Sequence, residues 1–382
     1  MSRFEFATAQ RVVFGPGAVR EAGGLAAALG RHPLVVTGHD PDRWRFLLDQ
    51  LRGQGLQPAV FAVAGEPSVD DARLGTALAH MEQADLVLAC GGGSALDAGK
   101  AIAALAAQPS DLMTYLEVVG RGQSLAAPSL PVIAIPTTAG TGSEATRNAV
   151  LASREHGVKA SLRHASMLPR VALVDPELTL GLPPELTAST GLDALTQLIE
   201  PYLSTRANPL TDVLCLEGIR RSVASLERAW AAGGDLAART DLALASLLGG
   251  MALANAGLGA VHGLAAPLGG LFPVPHGVAC AALLPHVLRA NLAGCPPGHP
   301  VRDRFAVLAG LLTGDRAAAP EDGVDWVAGL VRRLQVPSLG RYGLASAALP
   351  EVAERALAAS SMKANPVPLD RAALVEILAR AI

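Results

Sequence analysis

The side chains best suited to ligate a metal lie between residues 191 and 277. Gly191-Leu192-Asp193-Ala194-Leu195-Thr196-Gln197 places Asp193 and Gln197 four residues apart, so on a helix they share one face. Ala260-Val261-His262-Gly263 and Pro275-His276-Gly277 add two imidazoles. One carboxylate, one amide oxygen and two imidazoles form a donor set that a divalent cation accepts. Each histidine also has a simpler role open to it, His262 as a helix cap and His276 as a turn residue.

A second stretch has the composition of a phosphate cradle. Asp85-Leu86-Val87-Leu88-Ala89-Cys90 reads as a buried strand, Gly91-Gly92-Gly93-Ser94 follows, and Ala95 to Ala107 reads as a helix. Glycines let backbone amides approach a phosphate, and the helix N-terminus adds unpaired N–H groups and partial positive charge. Ser94 offers a hydroxyl to a ligand or caps the helix. Asp97 lies in the first turn, where a carboxylate also favours the dipole. A second loop, residues 137–143, holds Thr137, Thr138, Thr141 and Ser143 among glycines, just after the strand-like run 131–135. Its hydroxyls and amides suit pyrophosphate and ribose, or an ordinary polar turn. The GxGxxG fingerprint is absent, so a dinucleotide site here rests on a different loop design.

The elements that position these residues change character along the chain. Strand-like runs at 12–14, 34–37, 59–63, 85–90, 131–135 and 171–175 alternate with helical patterns at 18–29, 43–53, 69–83 and 95–107. That rhythm predicts a parallel sheet covered on both faces. After Pro183-Pro184, helical spacing dominates at 193–203, 209–228, 235–256, 320–334 and 349–359, while 292–301 reads as a surface loop. The expected architecture is an α/β nucleotide-binding domain over 1–181 and an all-α domain over 182–382.

Composition agrees with two full cores: 382 residues, 50% hydrophobic and 17% charged, with aromatics at only 3%, so the core is aliphatic. A net charge of -3 without a Lys/Arg block argues against nucleic acid as a partner. The N-terminus has no signal-like apolar core, and no apolar run reads as a membrane span, so a cytoplasmic protein is expected. Cys90, Cys215, Cys280 and Cys295 are scattered and read as buried free thiols.

With these motifs assembled, the chain resembles the iron-containing alcohol dehydrogenase family, in the dehydroquinate-synthase-like group. The resemblance covers nearly the whole chain. It runs through Phe14-Gly15-Pro16-Gly17, Gly91 to Lys100, Pro136 to Glu144, Lys159 with Pro169, and Asp175-Pro176. It continues through Gly191 to Thr196, the two His segments and Ser361-Met362-Lys363-Ala364-Asn365-Pro366. The resemblance implies that Gly92, Gly93, Ser94, Asp97, Thr137, Thr138, Thr141, Ser143, Lys159 and Leu178 contact NAD(P). Cofactor choice would be read after the second strand, where an Asp accepts ribose hydroxyls and repels a 2′-phosphate. Thr37-Gly38 stands there instead, similar to NADP-using relatives, so NADP rather than NAD is expected at Gly38. Arg43 either reaches that phosphate or lies on a solvated helix face.

The family pattern also implies an Asp, His, His, His metal set. Asp193, His262 and His276 match three positions, and Gln197 stands where a His is expected. The four residues are expected to hold Fe2+ or Zn2+, with a metal-poor site as the alternative. Ala266 replaces a second His that relatives place near the nicotinamide to relay protons. Proton transfer then falls to the cofactor ribose, water or another side chain, His164 among the candidates, and no catalytic residue is assigned. The implied activity is metal-assisted, NAD(P)-linked hydride transfer on a small alcohol, aldehyde or ketone, in a homo-oligomer. Two alternatives stand beside it: maleylacetate-reductase-like enoate reduction, with Arg147 pairing an anionic substrate, and nucleotide binding without turnover.

Overall fold

A computed structural model describes residues 3–382. The chain divides into two compact units. One comprises Thr8–Thr138 and Gly142–Thr179; the other comprises the N-terminal residues up to Ala7, then Ala139–Thr141 and Leu180–Ile382.

The first unit is built on strands β1 (Arg11–Phe14), β2 (Pro33–Thr37), β3 (Ala59–Ala62), β4 (Leu86–Gly91), β5 (Val132–Pro136), β6 (Asn148–Ser153), β7 (Val158–Arg163) and β8 (Val171–Val174). Six of them form one parallel sheet in the order β1-β8-β5-β4-β2-β3. Every residue of β2, β4, β5 and β8 is buried, as continuous aliphatic runs require when both faces are covered. Alternate side chains of β2 enter opposite cores. Val35 packs with Leu47, Leu51 and Leu88, whereas Leu34 and Val36 pack with Ile102 and Ala134. Helices α1 (Ala22–Ala27), α2 (Arg45–Gly53), α3 (Val69–Met81) and α4 (Gly93–Leu105) supply those covers. A short 3-10 segment, Ala18–Glu21, precedes α1 where one continuous helix was expected. β6 and β7 form a separate antiparallel hairpin that periodicity reading misses, although β6 alternates half-buried and buried residues along its whole length.

The second unit is helical: α5 (Pro184–Leu203), α6 (Pro209–Ala231), α7 (Leu236–Ala256), α8 (Ala260–Leu271), α9 (His276–Ala293), α10 (Pro300–Thr313), α11 (Pro320–Arg333), α12 (Leu349–Leu357) and α13 (Arg371–Arg380). α7 has the length and hydropathy of a bilayer span, yet Leu242, Ala245 and Ala252 belong to the core of this unit. α5 runs through the middle, with Leu192, Leu195, Leu198 and Ile199 fully buried. Burying an aliphatic side chain contributes about 1.5–3 kcal/mol, so the helix carrying Asp193 and Gln197 is held by the core on several sides.

Candidate functional site

The two glycine and threonine loops meet because their strands are neighbours. β4 pairs with β5 in a register that sets Gly91 beside Pro136. The Thr137 N–H donates to the Gly91 carbonyl at 2.9 Å. α4 begins at Gly93, inside the glycine run, so its first free amides open directly onto the strand end. Gly91 has φ 152°, and a Cβ there would lie 2.8 Å from the Ala95 methyl. A side chain would therefore push the helix start away from the strand. Gly38, at the end of β2, borders the same point: the missing Cβ of Gly91 would be 3.5 Å from its backbone nitrogen. The chain runs from β2 outward to β3 but from β4 the other way to β5, so the crevice between β2 and β4 is a topological switch point.

Asp97 ties this region together. Its carboxylate accepts from the Ser143 hydroxyl at 2.5 Å and from the Val150 N–H at 2.9 Å, and pairs with Lys100 Nζ at 3.2 Å. Lys100 is fully buried and also donates to the Ser143 carbonyl and Thr146 Oγ1. Burial pushes the Lys100 ammonium below its usual range and, acting on Glu144, raises that carboxyl to about 7. Asp97 thus fixes one loop to the other. The Leu178 carbonyl accepts from Arg43 at 2.7 Å, which draws that exposed guanidinium to a second expected cofactor residue. Lys159 lies on β7 and its Nζ pairs with Glu66 at 2.5 Å. Thr141 packs with the helical unit, in the segment whose Gly140 sits against Thr190. His164 caps a 3-10 turn: its Nδ1 accepts from the Ser166 N–H and lies 2.8 Å from the Ser166 hydroxyl, a structural role.

Within the helical unit, three elements bring the expected ligands together. Asp193 and Gln197 lie one turn apart on α5, His262 in the first turn of α8, and His276 at the start of α9. Gly277 allows this. A Cβ there would be 2.5 Å from the Ser189 carbonyl oxygen, so only glycine lets the start of α9 reach the α5 backbone one turn before Asp193. Asp193 Oδ1 lies 3.4 Å from His262 Nε2 and 3.8 Å from His276 Nε2, and the imidazole centroids are 5.4 Å apart. Asp193 Oδ1, His262 Nε2 and Gln197 Oε1 are buried without a hydrogen-bond partner. Buried polar atoms without partners are costly, and Asp193 Oδ1 and His262 Nε2, 3.4 Å apart, mark a site that a cation completes. The donor set present therefore fits a divalent metal.

Two residues that the sequence reading left out belong here. Glu200 follows Asp193 by seven residues, so the polar positions 193, 197 and 200 share one face of an otherwise aliphatic helix. That spacing was a usable signal. Glu200 Oε2 is 2.6 Å from His262 Nδ1, and Oε1 accepts from the Val261 N–H at 2.7 Å. With Nδ1–H donating to Glu200, the Nε2 lone pair faces Asp193. Cys280 is the second. It is not an isolated buried thiol: its Sγ lies 3.6 Å from His276 Nε2, and its ligand atom and those of Asp193, His262 and His276 all lie within 4.8 Å of one another. Asn365, from the C-terminal motif, accepts from the Ala260 N–H at 3.0 Å, so it and Glu200 satisfy two amides at the start of α8.

The electrostatics match this chemistry. Burial works against the Asp193 charge, but His276, His262 and Gln197 outweigh it and hold the carboxyl at about 2. For His262, burial opposes the imidazolium, and neighbouring Cys280, Asp193 and Glu200 nevertheless raise it well above its usual value. The cluster stabilises positive charge at its centre. Ala266, one turn beyond His262 on α8, is exposed and brings no titratable group.

A glycine loop at a switch point in one unit and a carboxylate–imidazole cluster in the other are parts that a metal-dependent, nucleotide-linked oxidoreductase uses. Residues 9–176 match the model described as iron-containing alcohol dehydrogenase, and residues 187–382 match the C-terminal model of the same family. The chain belongs to the iron-containing alcohol dehydrogenase family, whose members are oxidoreductases acting on CH–OH groups. It is 39% identical to a 1,3-propanediol dehydrogenase of Klebsiella pneumoniae over 366 residues, 92% of each chain. It is also 39% identical to alcohol dehydrogenase 4 of Saccharomyces cerevisiae over 316 residues, covering 82% of this chain and 80% of that one. The solved structure of an alcohol dehydrogenase from Oenococcus oeni matches with a TM-score of 0.92 at 34% identity, over the full length of both chains.

Proposed function

We propose that this protein interconverts a short alcohol or diol and its aldehyde with NADP(H), using a divalent metal held in the helical unit. The observation that carries the metal is the convergence of Asp193 Oδ1 and His262 Nε2, buried and without hydrogen-bond partners, beside His276. Asp193, His262 and His276 would hold the cation, and Gln197 lies one turn from Asp193 on the same helix face. When bound, the metal supplies Lewis-acid polarisation of the substrate oxygen, and the nicotinamide exchanges the hydride. Glu200 keeps the His262 proton on Nδ1, which leaves Nε2 unprotonated for ligation. Ala266 offers no acid or base, so this position of α8 would take no part in moving the hydroxyl proton. The curated relatives named for 1,3-propanediol and alcohols support a small substrate.

Support for NADP comes from β2. Gly38 puts no carboxylate at its end, and Arg43 is held at the Leu178 carbonyl nearby in the same unit. Asp40, the next acid, accepts from the Asp42 N–H as a cap. Kinetics with NADPH and NADH over a panel of short aldehydes, together with 1,3-propanediol oxidation, test the reading. Gly38→Asp should lower kcat/KM for NADPH by roughly thirtyfold, on the order of 2 kcal/mol of like-charge repulsion, and leave NADH largely unaffected. Turnover that survives Asp193→Ala undiminished would overturn the metal assignment. One observation favours a second substrate class: Arg147 is half-buried and makes no ion pair among the described residues. Its guanidinium suits an anionic enoate, so maleylacetate belongs in the panel, and turnover of it without turnover of aldehydes would select that class.

A further inference from the structure

The metal reading above names two imidazoles and a carboxylate, and this inference rests on it. We propose that Cys280 is the fourth protein ligand, as a thiolate, in place of Gln197. The result is an Asp–His–His–Cys centre suited to zinc or cobalt in preference to iron.

The argument is geometric. A tetrahedral centre with bonds of about 2.0–2.1 Å to nitrogen and oxygen and about 2.3 Å to sulfur places its ligand atoms about 3.3–3.6 Å apart. Asp193 Oδ1 to His262 Nε2 is 3.4 Å, and Cys280 Sγ to His276 Nε2 is 3.6 Å. Asp193 Oδ1 to His276 Nε2, at 3.8 Å, is slightly wider. All four ligand atoms fall within 4.8 Å of each other. The thiol is fully buried, and the other atoms aimed at the same point include Asp193 Oδ1 and His262 Nε2, both buried and unpartnered. Position explains how sulfur arrives there. Cys280 follows His276 by four residues on α9, so both side chains project from one face of that helix toward α5. Gln197, one turn along α5 from Asp193, is absent from the group of ligand atoms that converge.

Thiolate changes what the site prefers. Soft sulfur raises affinity for zinc and cobalt, whereas oxygen and imidazole donors alone leave the site open to iron. Ligation displaces the thiol proton to solvent, and no electron transfer is involved.

Cobalt substitution of the full-length protein tests this without reference to turnover. One cobalt per chain should give sulfur-to-cobalt charge-transfer absorption in the near ultraviolet. Cys280→Ser should abolish that band, and Gln197→Ala should keep it. Zinc affinity, measured by chelator competition, should fall by more than about tenfold in Cys280→Ser, since even residues behind the ligands change it by that much. X-ray absorption of the zinc-loaded wild-type protein provides a check independent of any variant's folding: a sulfur neighbour at about 2.3 Å is expected. Stoichiometric cobalt with no charge-transfer band and no sulfur neighbour overturns Cys280 as a ligand while the metal reading stands. Failure to bind any divalent metal overturns both.

Discussion

Glu200 shows how much a single side chain behind the ligands can determine. Its two carboxylate oxygens serve different partners, His262 Nδ1 and the Val261 amide, so one residue sets both the imidazole tautomer and the start of α8. Glu200→Gln keeps the shape but offers only one acceptor oxygen and no charge. Metal affinity should fall by roughly 10–100-fold, measured by chelator competition, with the fold retained by circular dichroism. Glu200→Ala should cost more, because the Val261 N–H is then buried without an acceptor, about 1–3 kcal/mol in its own right. Equal affinity in the wild-type and Glu200→Gln proteins would show that the tautomer is fixed by something else. Asp193, His262 and His276 are legible from sequence because their residue types declare their chemistry. Glu200 is not, since a carboxylate behind a ligand looks like any helix carboxylate until the distance to the imidazole is known.

At the scale of elements, the centre depends on helix ends touching a helix middle. α9 can start beside Ser189 only because Gly277 has no Cβ, and that contact sets His276 against Asp193. Gly277→Ala should force α9 outward and lower thermal stability, at a cost of about 1–3 kcal/mol in chemical denaturation. Metal affinity should fall with it, although no ligand has been altered. A destabilised variant that retains full metal affinity would mean that His276 follows Asp193 independently of the helix contact. In the sheet unit, adjacency of β4 and β5 brings two loops into register, a relation between strands separated by forty residues of chain. The glycine loop itself was readable, since a strand, a glycine run and a helix follow one another locally. The hairpin of β6 and β7 went unread because β6 carries little hydrophobic contrast: its less buried positions include Val150 and Ala152, and Ser153 is buried with Ala149 and Leu151. The role of the 3-10 segment holding Ser361 to Ala364 also emerges only in space, where Asn365 clasps the starts of α8 and, through Asn291, the body of α9.

For the molecule as a whole, the clearest liability is Glu144, a carboxyl buried in the loop that follows β5. The Glu144 carboxyl rises from 4.5 to about 7 in the fold. Below the unfolded value both states are protonated and the group contributes nothing. As pH rises from there to about 7, the unfolded chain releases its proton while the native chain keeps it, so stability declines. The loss reaches about 3 kcal/mol and is constant at higher pH. Glu144→Gln should therefore raise Tm at pH 8 while changing it little at pH 4.5, as read by thermal scans across that range. A Tm difference independent of pH would overturn the assignment of the decline to Glu144.

The sequence by itself determined the two-part architecture and the residue types of the centre, because both are written in local order. Hydrophobic period distinguishes buried strands from helices, a glycine run between them marks a phosphate loop, and the ordered motifs carry the family resemblance. Tertiary structure alone decided which donors share a point. Cys280 sits one turn from His276 on α9, but only the packing of α5 against the other helices brings that pair toward Asp193 and sets the Glu200 carboxylate 2.6 Å from the His262 imidazole. Coordination depends on distances of a few ångströms between helices far apart in the chain, and spacing along one helix specifies a face without specifying what that face meets.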